Sequence, residues 1–244
     1  MSYMNKSSKY SKTSIKKIDD LDISYEVKYR DVKYPRLELK TGKLVVILPK
    51  DFENEKELLA KKINWIIKKK KIIDTAIKNI SKDKTQNDFL LFGEKFTLEK
   101  GAQYPIIDFE NKKIKVDFSD ETQVIKLKNI FKHLLKEKID EIVDQYSRKL
   151  KTTPNRIYIK HQKTKWASCS SKKNLSFNIK LAALPEEVLK YVVYHEMVHI
   201  KRRKHDESFW KIIEKEFKNY NELENSLLEY WFYLEKMPIY RSGE

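Results

Sequence analysis

The sequence has few glycines and a single cysteine, and each shortage excludes a class of protein. Four glycines among 244 residues leave no glycine-rich loop for phosphates, so neither a P-loop nor a dinucleotide-binding fold is expected. The Gly-x-Ser-x-Gly elbow of α/β-hydrolases is also absent. Because Cys169 has no second cysteine to pair with, no internal disulfide can form. This composition favours a reducing compartment, and we expect a cytoplasmic protein.

Long apolar runs are missing as well. The apolar stretches are much shorter than the roughly 20 residues that cross a bilayer, so no membrane partner is expected. Residues 1–17 lack the apolar core of a secretory signal. Their basic, serine-rich composition predicts a mobile tail.

The chain carries an excess of positive charge, with 52 lysines and arginines against 36 aspartates and glutamates. A formal charge of +16 can indicate a nucleic-acid or other anionic partner. The lysines are spread along the whole chain, however, and this distribution favours lysines that simply fill exposed positions.

Apolar periodicity predicts an α+β fold with a β-rich first half, residues 18–119, that contains one long helix. A turn at Thr41 and Gly42 is expected to join two of its strands. The segments with the required spacing are 23–50, 90–100 and 106–119 for strands and about 54–80 for the helix.

The second half, residues 120–240, is predicted to be mainly helical. Asp120 is a suitable N-cap for its first helix, and His133 falls beside the buried face of that helix and should be exposed. No internal repeat or linker is evident, so we expect a single domain over 18–240. The expected elements are a helix over about 122–150, strands over 155–162 and 174–181 with a loop between them, and a helix from Pro185.

Three of the five histidines lie within eleven residues. His195 and His199 are four apart on a predicted helix, so both imidazoles can reach a single ion. Glu196 is offset by about 100°, which lets it reach a water beside the ion rather than the ion itself. This His-Glu-x-x-His arrangement supplies two zinc ligands and a general base. The zinc would activate a water, and Glu196 would accept its proton.

A catalytic zinc needs a third protein ligand, and His205 is the candidate. It lies six residues after His199, out of phase with the helix face, so the helix must end and the chain must turn back. Four cations, residues 201–204, suit a helix C-terminus, and Asp206 suits the N-cap of the next helix. The histidine spacing matches that of metzincins, but Arg202 stands where they have a glycine.

Residues 165–210 resemble the signature of the YgjP-like metallopeptidases, which are relatives of the SprT-like zinc proteases. That family shows an Arg-Trp-Gly-Ser-Cys element, an asparagine in the next strand, a proline, a Tyr-Val-Val-x-His-Glu-Leu-x-His helix and a His-x-x-x-Phe-Trp segment. The counterparts in this chain are 165–169, Asn178, Pro185, 191–199 and 205–210.

The resemblance implies that His195, His199 and His205 hold zinc and that Glu196 is catalytic. It also implies a zincin-like helical half in which the His-Glu-x-x-His helix packs against a small sheet, with a strand near Phe177 beside it. Two positions depart from the family pattern, because Lys165 replaces the arginine and Ala167 the glycine. A lysine binds a carboxylate or phosphate more weakly than an arginine that donates two parallel hydrogen bonds.

Other residues near the motif are weaker candidates. Substrate contact or support of the zinc helix is the expected role of Lys165, Trp166, Asn178 and Tyr194. Tyr191 and Tyr194 suit either an oxyanion donor or the core. Phe209 and Trp210 are expected to pack, because they share helical spacing with Ile213. Cys169 is expected to be a buried structural cysteine.

The leading prediction is a zinc metallopeptidase that cleaves peptide or protein substrates. A metal-dependent nucleotide phosphohydrolase is an alternative, because the cations of residues 201–204 and the nearby Lys163 and Lys165 favour phosphates. A DNA-associated protease or basic nucleic-acid-binding protein is a further alternative, which predicts salt-sensitive DNA affinity. No zinc ribbon or helix-turn-helix signal supports this last class.

Overall fold

A computed structural model describes residues 13–18, 23–40, 43–82, 88–101, 103–235, 237 and 239–240. Over these residues five α-helices and three small sheets form a mixed structure, which confirms the predicted α+β class. The chain divides into two compact units, Met1–Asp74 and Thr75–Glu244. No described helix combines the length and the apolar character that a membrane span requires.

The first unit contains a four-stranded sheet in the order β1-β2-β4-β3. The central pair, β2 and β4, is parallel, and both outer pairs are antiparallel. Its core is formed by strand side chains such as Val27 and Val46 packed with Leu59 and Ile66 of the following helix, α1. The elements are β1 (Thr13–Ile18), β2 (Ile23–Arg30), β3 (Arg36–Lys40), β4 (Lys43–Pro49) and α1 (Glu55–Lys82).

Strand β1 corrects the predicted boundary of the N-terminal tail. Residues from Thr13 onward pair with β2, and Lys16 also donates to the buried carboxylate of Glu55 at 2.6 Å. The contact with Glu55 joins residues that are 39 positions apart, and composition alone, which placed residues 13–17 in the tail, carries no sign of it. Residues 1–12 and the predicted turn at Thr41 and Gly42 lie outside the described residues.

The second unit begins with the last residues of α1, from Thr75, and continues with a sheet that repeats the topology of the first sheet. Its order is β5-β6-β8-β7, again with a parallel central pair and antiparallel outer pairs, and a long helix, α2, follows it. This repeat was not evident from the sequence, because it lies in the hydrogen-bonding pattern. The elements are β5 (Asp88–Leu91), β6 (Glu94–Glu99), β7 (Ile106–Asp108), β8 (Lys113–Lys115) and α2 (Glu121–Leu150).

Helix α2 begins as predicted. The Asp120 carboxylate accepts hydrogen bonds from the main-chain N–H groups of Thr122 at 2.8 Å and Gln123 at 3.3 Å. His133 is exposed, as the sequence indicated. The buried stripe of α2 packs in one core with the sheet β5–β8 and with the helix that carries His195. The predicted halves, 18–119 and 120–240, and the single domain over 18–240 remain predictions.

A three-stranded sheet follows in the order β10-β11-β9. Strand β9 (Arg156–Lys160) runs parallel to β11 (Asn174–Asn178), and β10 (Ala167–Cys169) is antiparallel to β11. The short strand β10 lies in the segment that was predicted to be a loop. The predicted strand over 174–181 ends early, because the Asn178 side chain accepts from the Lys180 N–H and starts a 3-10 helix.

Three helices complete the second unit. α3 packs against α2, β10, α4 and α5, so it lies at the centre of the helical layer. Helix α5 was not predicted. The bounds are α3 (Glu186–Val198), α4 (Glu207–Glu216) and α5 (Tyr220–Leu234).

The turn between β5 and β6 fixes the start of α3. Gly93 has φ +81°, and its N–H donates to the Ala183 carbonyl at 3.0 Å. A Cβ at this position would lie 2.8 Å from the Pro185 Cα. The turn therefore needs glycine both for its left-handed backbone and for the close approach of the chain before α3.

We expect Gly93→Ala to lower the free energy of unfolding by about 3 kcal/mol, because it adds a left-handed alanine and a steric overlap with Pro185. Urea unfolding of the purified protein measures this change. Lys95→Ala, which alters an exposed side chain of the same hairpin, is the matched control. Equal midpoints for the two variants would show that the turn tolerates a side chain.

Candidate metal centre

The end of α3 positions the first two histidines. His195 lies in the last turn, and His199 is the C-cap. The Val198 carbonyl then accepts from the N–H groups of both Lys201 and Arg202 at 2.9 Å, which ends the helix in a tight turn. The chain turns back after His199, as the sequence predicted.

The next helix begins directly after His205. The Asp206 carboxylate accepts from the Phe209 N–H at 3.0 Å and caps α4, which confirms the predicted N-cap. The turn itself is fastened to the neighbouring hairpin β10–β11, because the Arg203 guanidinium donates to the Ser171 carbonyl at 2.8 Å.

The turn brings all three rings together. The centroid of His195 lies 5.0 Å from each of the other two, and those of His199 and His205 are 4.6 Å apart. The Nε2 atoms of His195 and His205 are 3.0 Å apart, and one nitrogen of each ring lies within 4.8 Å of the others. Nitrogen ligands of a tetrahedral zinc lie about 3.3 Å apart, so this spacing fits a shared cation.

The main chain orients the ring of His199. Its Nδ1 lies 2.9 Å from the carbonyl oxygen of Arg202. Because a carbonyl oxygen only accepts, Nδ1 must carry the proton, and the lone pair of Nε2 remains available.

Burial keeps the three imidazoles neutral. The pKa of His195 is lowered to about 3. Burial is the largest cause of this shift, and the neighbouring His199 and His205 contribute to it. Burial also lowers the pKa of His199 and of His205. A neutral imidazole is the form that binds a metal, so the cluster is suited to a cation at neutral pH.

Glu196 is a buried carboxylate beside this cluster, with 8% of its surface exposed. Its Oε2 has no hydrogen-bond partner among the described residues. Burial raises the pKa of Glu196 to about 7, and the positive charge of Lys165 opposes that rise. A buried carboxylate oxygen without a partner is uncommon and fits a group that receives a proton or a ligand.

Aromatic side chains pack on the histidine rings. Phe209 is fully buried, and its ring centroid lies 4.7 Å from those of His199 and His205. Trp210 stacks on His205 at 5.6 Å. These contacts agree with the packing predicted for both residues, and the imidazoles are among the partners.

Asn178 holds the loop before β10. It is fully buried, and its amide donates to the carbonyls of Gln162 at 2.8 Å and Lys165 at 2.9 Å. Its Oδ1 accepts from the Lys180 N–H, and its own N–H donates to the Trp166 carbonyl at 2.7 Å. Asn178 therefore supports the loop that carries Lys165 and Trp166.

The other weak candidates differ in their surroundings. Trp166 packs edge-on against Trp231 of α5, with the centroids 5.0 Å apart. Tyr194 is buried in the core, 4.8 Å from the ring of Tyr146, and its hydroxyl donates to the Ile212 carbonyl at 3.4 Å. Lys165 is exposed.

Cys169 is half-buried rather than fully buried as expected, because the short strand β10 lies beside exposed turn residues. Burial nevertheless raises the pKa of its thiol, and the charge of Glu196 contributes to the rise. The thiol is therefore protonated at neutral pH.

Sequence reasoning missed Glu224 and Lys180, and it named Tyr191 without the contacts that this residue makes. Tyr191 donates its hydroxyl to the Glu224 carboxylate at 2.5 Å, and the same oxygen lies 3.5 Å from His195 Nδ1. The Lys180 ammonium is fully buried in an ion pair with Glu235, 4.2 Å from the ring centre of Trp231. The i, i+4 spacing of Tyr191 and His195 was a usable signal, whereas no local spacing connects Glu224 or Lys180 to the motif.

The comparisons with known proteins decide the family. The model of the YgjP-like metallopeptidase domain matches residues 33–230. The chain belongs to the YgjP-like family. This membership confirms the resemblance read from the motif, and a YgjP-like metallopeptidase domain implies a metal and a peptide or protein substrate. Among the described residues, His195, His199 and His205 are the only group of three or more side chains that could hold that metal.

Two solved structures are also similar to this YgjP-like chain. The metallopeptidase zymogen abylysin of Pyrococcus abyssi is 23% identical over 37% of this chain and 91% of its own, with a TM-score of 0.35. The zymogen jannalysin of Methanocaldococcus jannaschii is 30% identical over 39% of this chain and 94% of its own, with a TM-score of 0.34. TM-scores at this level do not establish a shared fold. The comparison with curated proteins gave no match.

We expect Asn178→Ala to lower the free energy of unfolding by about 2 kcal/mol, because it leaves buried main-chain groups without partners. Chemical unfolding measures the change. Asn155→Ala removes one exposed hydrogen bond to the Lys172 carbonyl and should cost less than about 1 kcal/mol. If the two substitutions cost the same, Asn178 does not hold the loop in the way described.

Proposed function

We propose that this chain is a zinc-dependent metallopeptidase in which His195, His199 and His205 hold the metal and Glu196 is the general base. One observation carries the proposal. Three neutral imidazoles place a nitrogen within 4.8 Å of one another, and the next residue after the first is a buried carboxylate with an unpartnered oxygen. Family membership supports the peptidase chemistry.

The donor set favours zinc over other divalent ions. Imidazole nitrogens suit zinc, whereas magnesium and calcium prefer oxygen ligands. Three protein ligands also leave one coordination position for substrate or water, as catalytic zinc sites require. The packing of α3 beside β10 further supports a zincin-like arrangement of the second unit.

The proton transfers belong to Glu196. A bound zinc would supply Lewis acidity, which lowers the pKa of water towards about 7 and polarises the scissile carbonyl. Glu196 then takes a proton from the attacking water and passes it to the leaving amine. Its offset of about 100° from His195 places it beside the cation rather than among the ligands.

The remaining candidate residues have supporting roles in this proposal. Lys165 is exposed, and its charge acts on Glu196, so it is the candidate for contact with a substrate carbonyl or carboxylate. Asn178 and Trp166 hold the loop that presents it. Tyr194 contributes packing, because its hydroxyl donates to the main chain inside the core.

We expect the purified protein to bind one zinc ion, and His199→Ala to weaken that binding by at least about 100-fold, because it removes one of three ligands. Competition with a chromogenic chelator measures the affinity. His133→Ala, which removes an exposed histidine of α2, should bind zinc like the wild type. Equal affinities for His199→Ala and the wild type would exclude this metal site.

Glu196→Gln should retain zinc and lose about 10²- to 10⁴-fold in peptide hydrolysis, because the amide cannot accept the proton. Initial rates on an unstructured protein such as casein, together with zinc content, check this outcome. Glu207→Gln changes an exposed glutamate of α4 and is the control. Full activity in Glu196→Gln would remove Glu196 from the mechanism.

A phosphate-ester substrate is the second candidate function. Residues 201–204, all cationic, are exposed between the second and third histidines, where they can attract an anionic substrate. Nucleoside triphosphates assayed beside peptides, with and without chelator, distinguish the two chemistries. Hydrolysis of triphosphates alone would replace the peptidase proposal. Only the positive net charge of the chain supports the alternative of association with nucleic acid.

A further inference from the structure

Two residues form a hydrogen-bonded contact directly behind the ring of His195. Tyr191 lies one turn earlier on α3 and is 1% exposed. Its hydroxyl donates to Glu224 Oε1 at 2.5 Å. The same hydroxyl oxygen lies 3.5 Å from His195 Nδ1, on the opposite side of the ring from the nitrogen that faces His205.

The direction of the Tyr191 hydrogen bond limits where the proton of His195 can lie. A carboxylate only accepts, so the single hydroxyl proton of Tyr191 is committed to Glu224. The hydroxyl oxygen can then only accept from His195, so a hydrogen bond across this contact requires the proton on Nδ1. The lone pair of Nε2 consequently faces His205 Nε2, 3.0 Å away. A ring shift of about half an ångström would bring Nδ1 to an ordinary hydrogen-bond distance.

We propose that Glu224 is a positioning residue of the metal site, which acts through Tyr191 to set the tautomer and orientation of His195. The inference rests on the proposed function, because it assumes that His195 is a ligand. A carboxylate behind a ligating histidine increases the basicity of the ligand and fixes its ring. Loss of such a partner typically weakens metal binding 10- to 100-fold.

The two histidines of α3 are thus held by different means. His199 is oriented by a main-chain carbonyl, that of Arg202, which no side-chain substitution removes. His195 is oriented by two side chains from separate helices, α3 and α5. Substitution at Tyr191 or Glu224 can therefore perturb one ligand while the other keeps its partner. The third helical turn of α3 and the start of α5 become coupled to the cation through this contact.

Zinc affinity of Glu224→Gln, Tyr191→Phe and the double variant tests the inference. Each single substitution should weaken binding about 10- to 100-fold, measured by chelator competition. The double variant should be no weaker than Tyr191→Phe alone, because Glu224 acts only through the tyrosine. Glu229→Gln, on the exposed side of α5, and Tyr146→Phe, a buried tyrosine of α2, are the matched controls and should bind like the wild type.

Two measurements separate positioning from loss of structure. The metal-free variants should still unfold in one cooperative transition, with a loss of no more than about 3 kcal/mol from the missing hydrogen bond, and the visible spectrum of the cobalt-substituted protein should change in both single variants but in neither control. Losses that multiply in the double variant, or an unchanged affinity in Glu224→Gln, would overturn the inference. Failure of the wild type itself to bind zinc would instead overturn the proposed function, so the two failures are distinguishable.

Discussion

The end of α3 is the constraint on which the cluster depends. A straight helix can present His195 and His199 to one ion, but a residue six positions further on would face another direction. The helix ends where the Val198 carbonyl accepts from the N–H groups of Lys201 and Arg202, and the Arg202 carbonyl, later in the same turn, orients His199. One backbone turn therefore ends the helix, orients His199 and brings His205 back beside the other two histidines.

The position of α3 depends in turn on main-chain contacts that lie far from it in sequence. Its first residues follow Pro185, against which the Gly93 turn packs so closely that no Cβ fits. Just before it, the 3-10 helix Ile179–Ala183 is capped by Asn178, which also holds the loop leading into β10. Since β10 packs against α3, Asn178 holds both the segment that leads into α3 and the loop before the strand that packs on it. The rigidity of the cluster comes from these neighbours as much as from α3 itself.

The parts of this structure that the sequence predicted are those that local interactions determine. The Asp120 and Asp206 caps follow from side-chain to main-chain contacts within a few residues, and the helix from Pro185 begins without a side-chain cap at a proline that suits the first turn. The repeated sheet topology depends on pairing between segments that are not adjacent in sequence, and strand β10 has only three residues, too few for apolar periodicity to show. Glu224 belongs to the same group, since it reaches Tyr191 from a helix that the sequence analysis missed. For the candidate site, the histidines, Glu196 and the supporting Asn178 were thus predictable, whereas Glu224 and Lys180 were not.

Glu196 shows why a departure from local rules can indicate function. Burying a carboxylate without a partner for one of its oxygens costs free energy, and folded chains normally avoid it. The neighbouring imidazoles are neutral as well, although His195 and His199 are half-buried and His205 is exposed, so they offer the carboxylate no positive charge in compensation. A divalent cation among the three rings would supply that charge and at the same time take the lone pairs of their nitrogens. In the proposed site one ligand would therefore relieve both the unfavourable burial of Glu196 and the convergence of three histidines, and this is the strongest physical argument that the two features serve a single site.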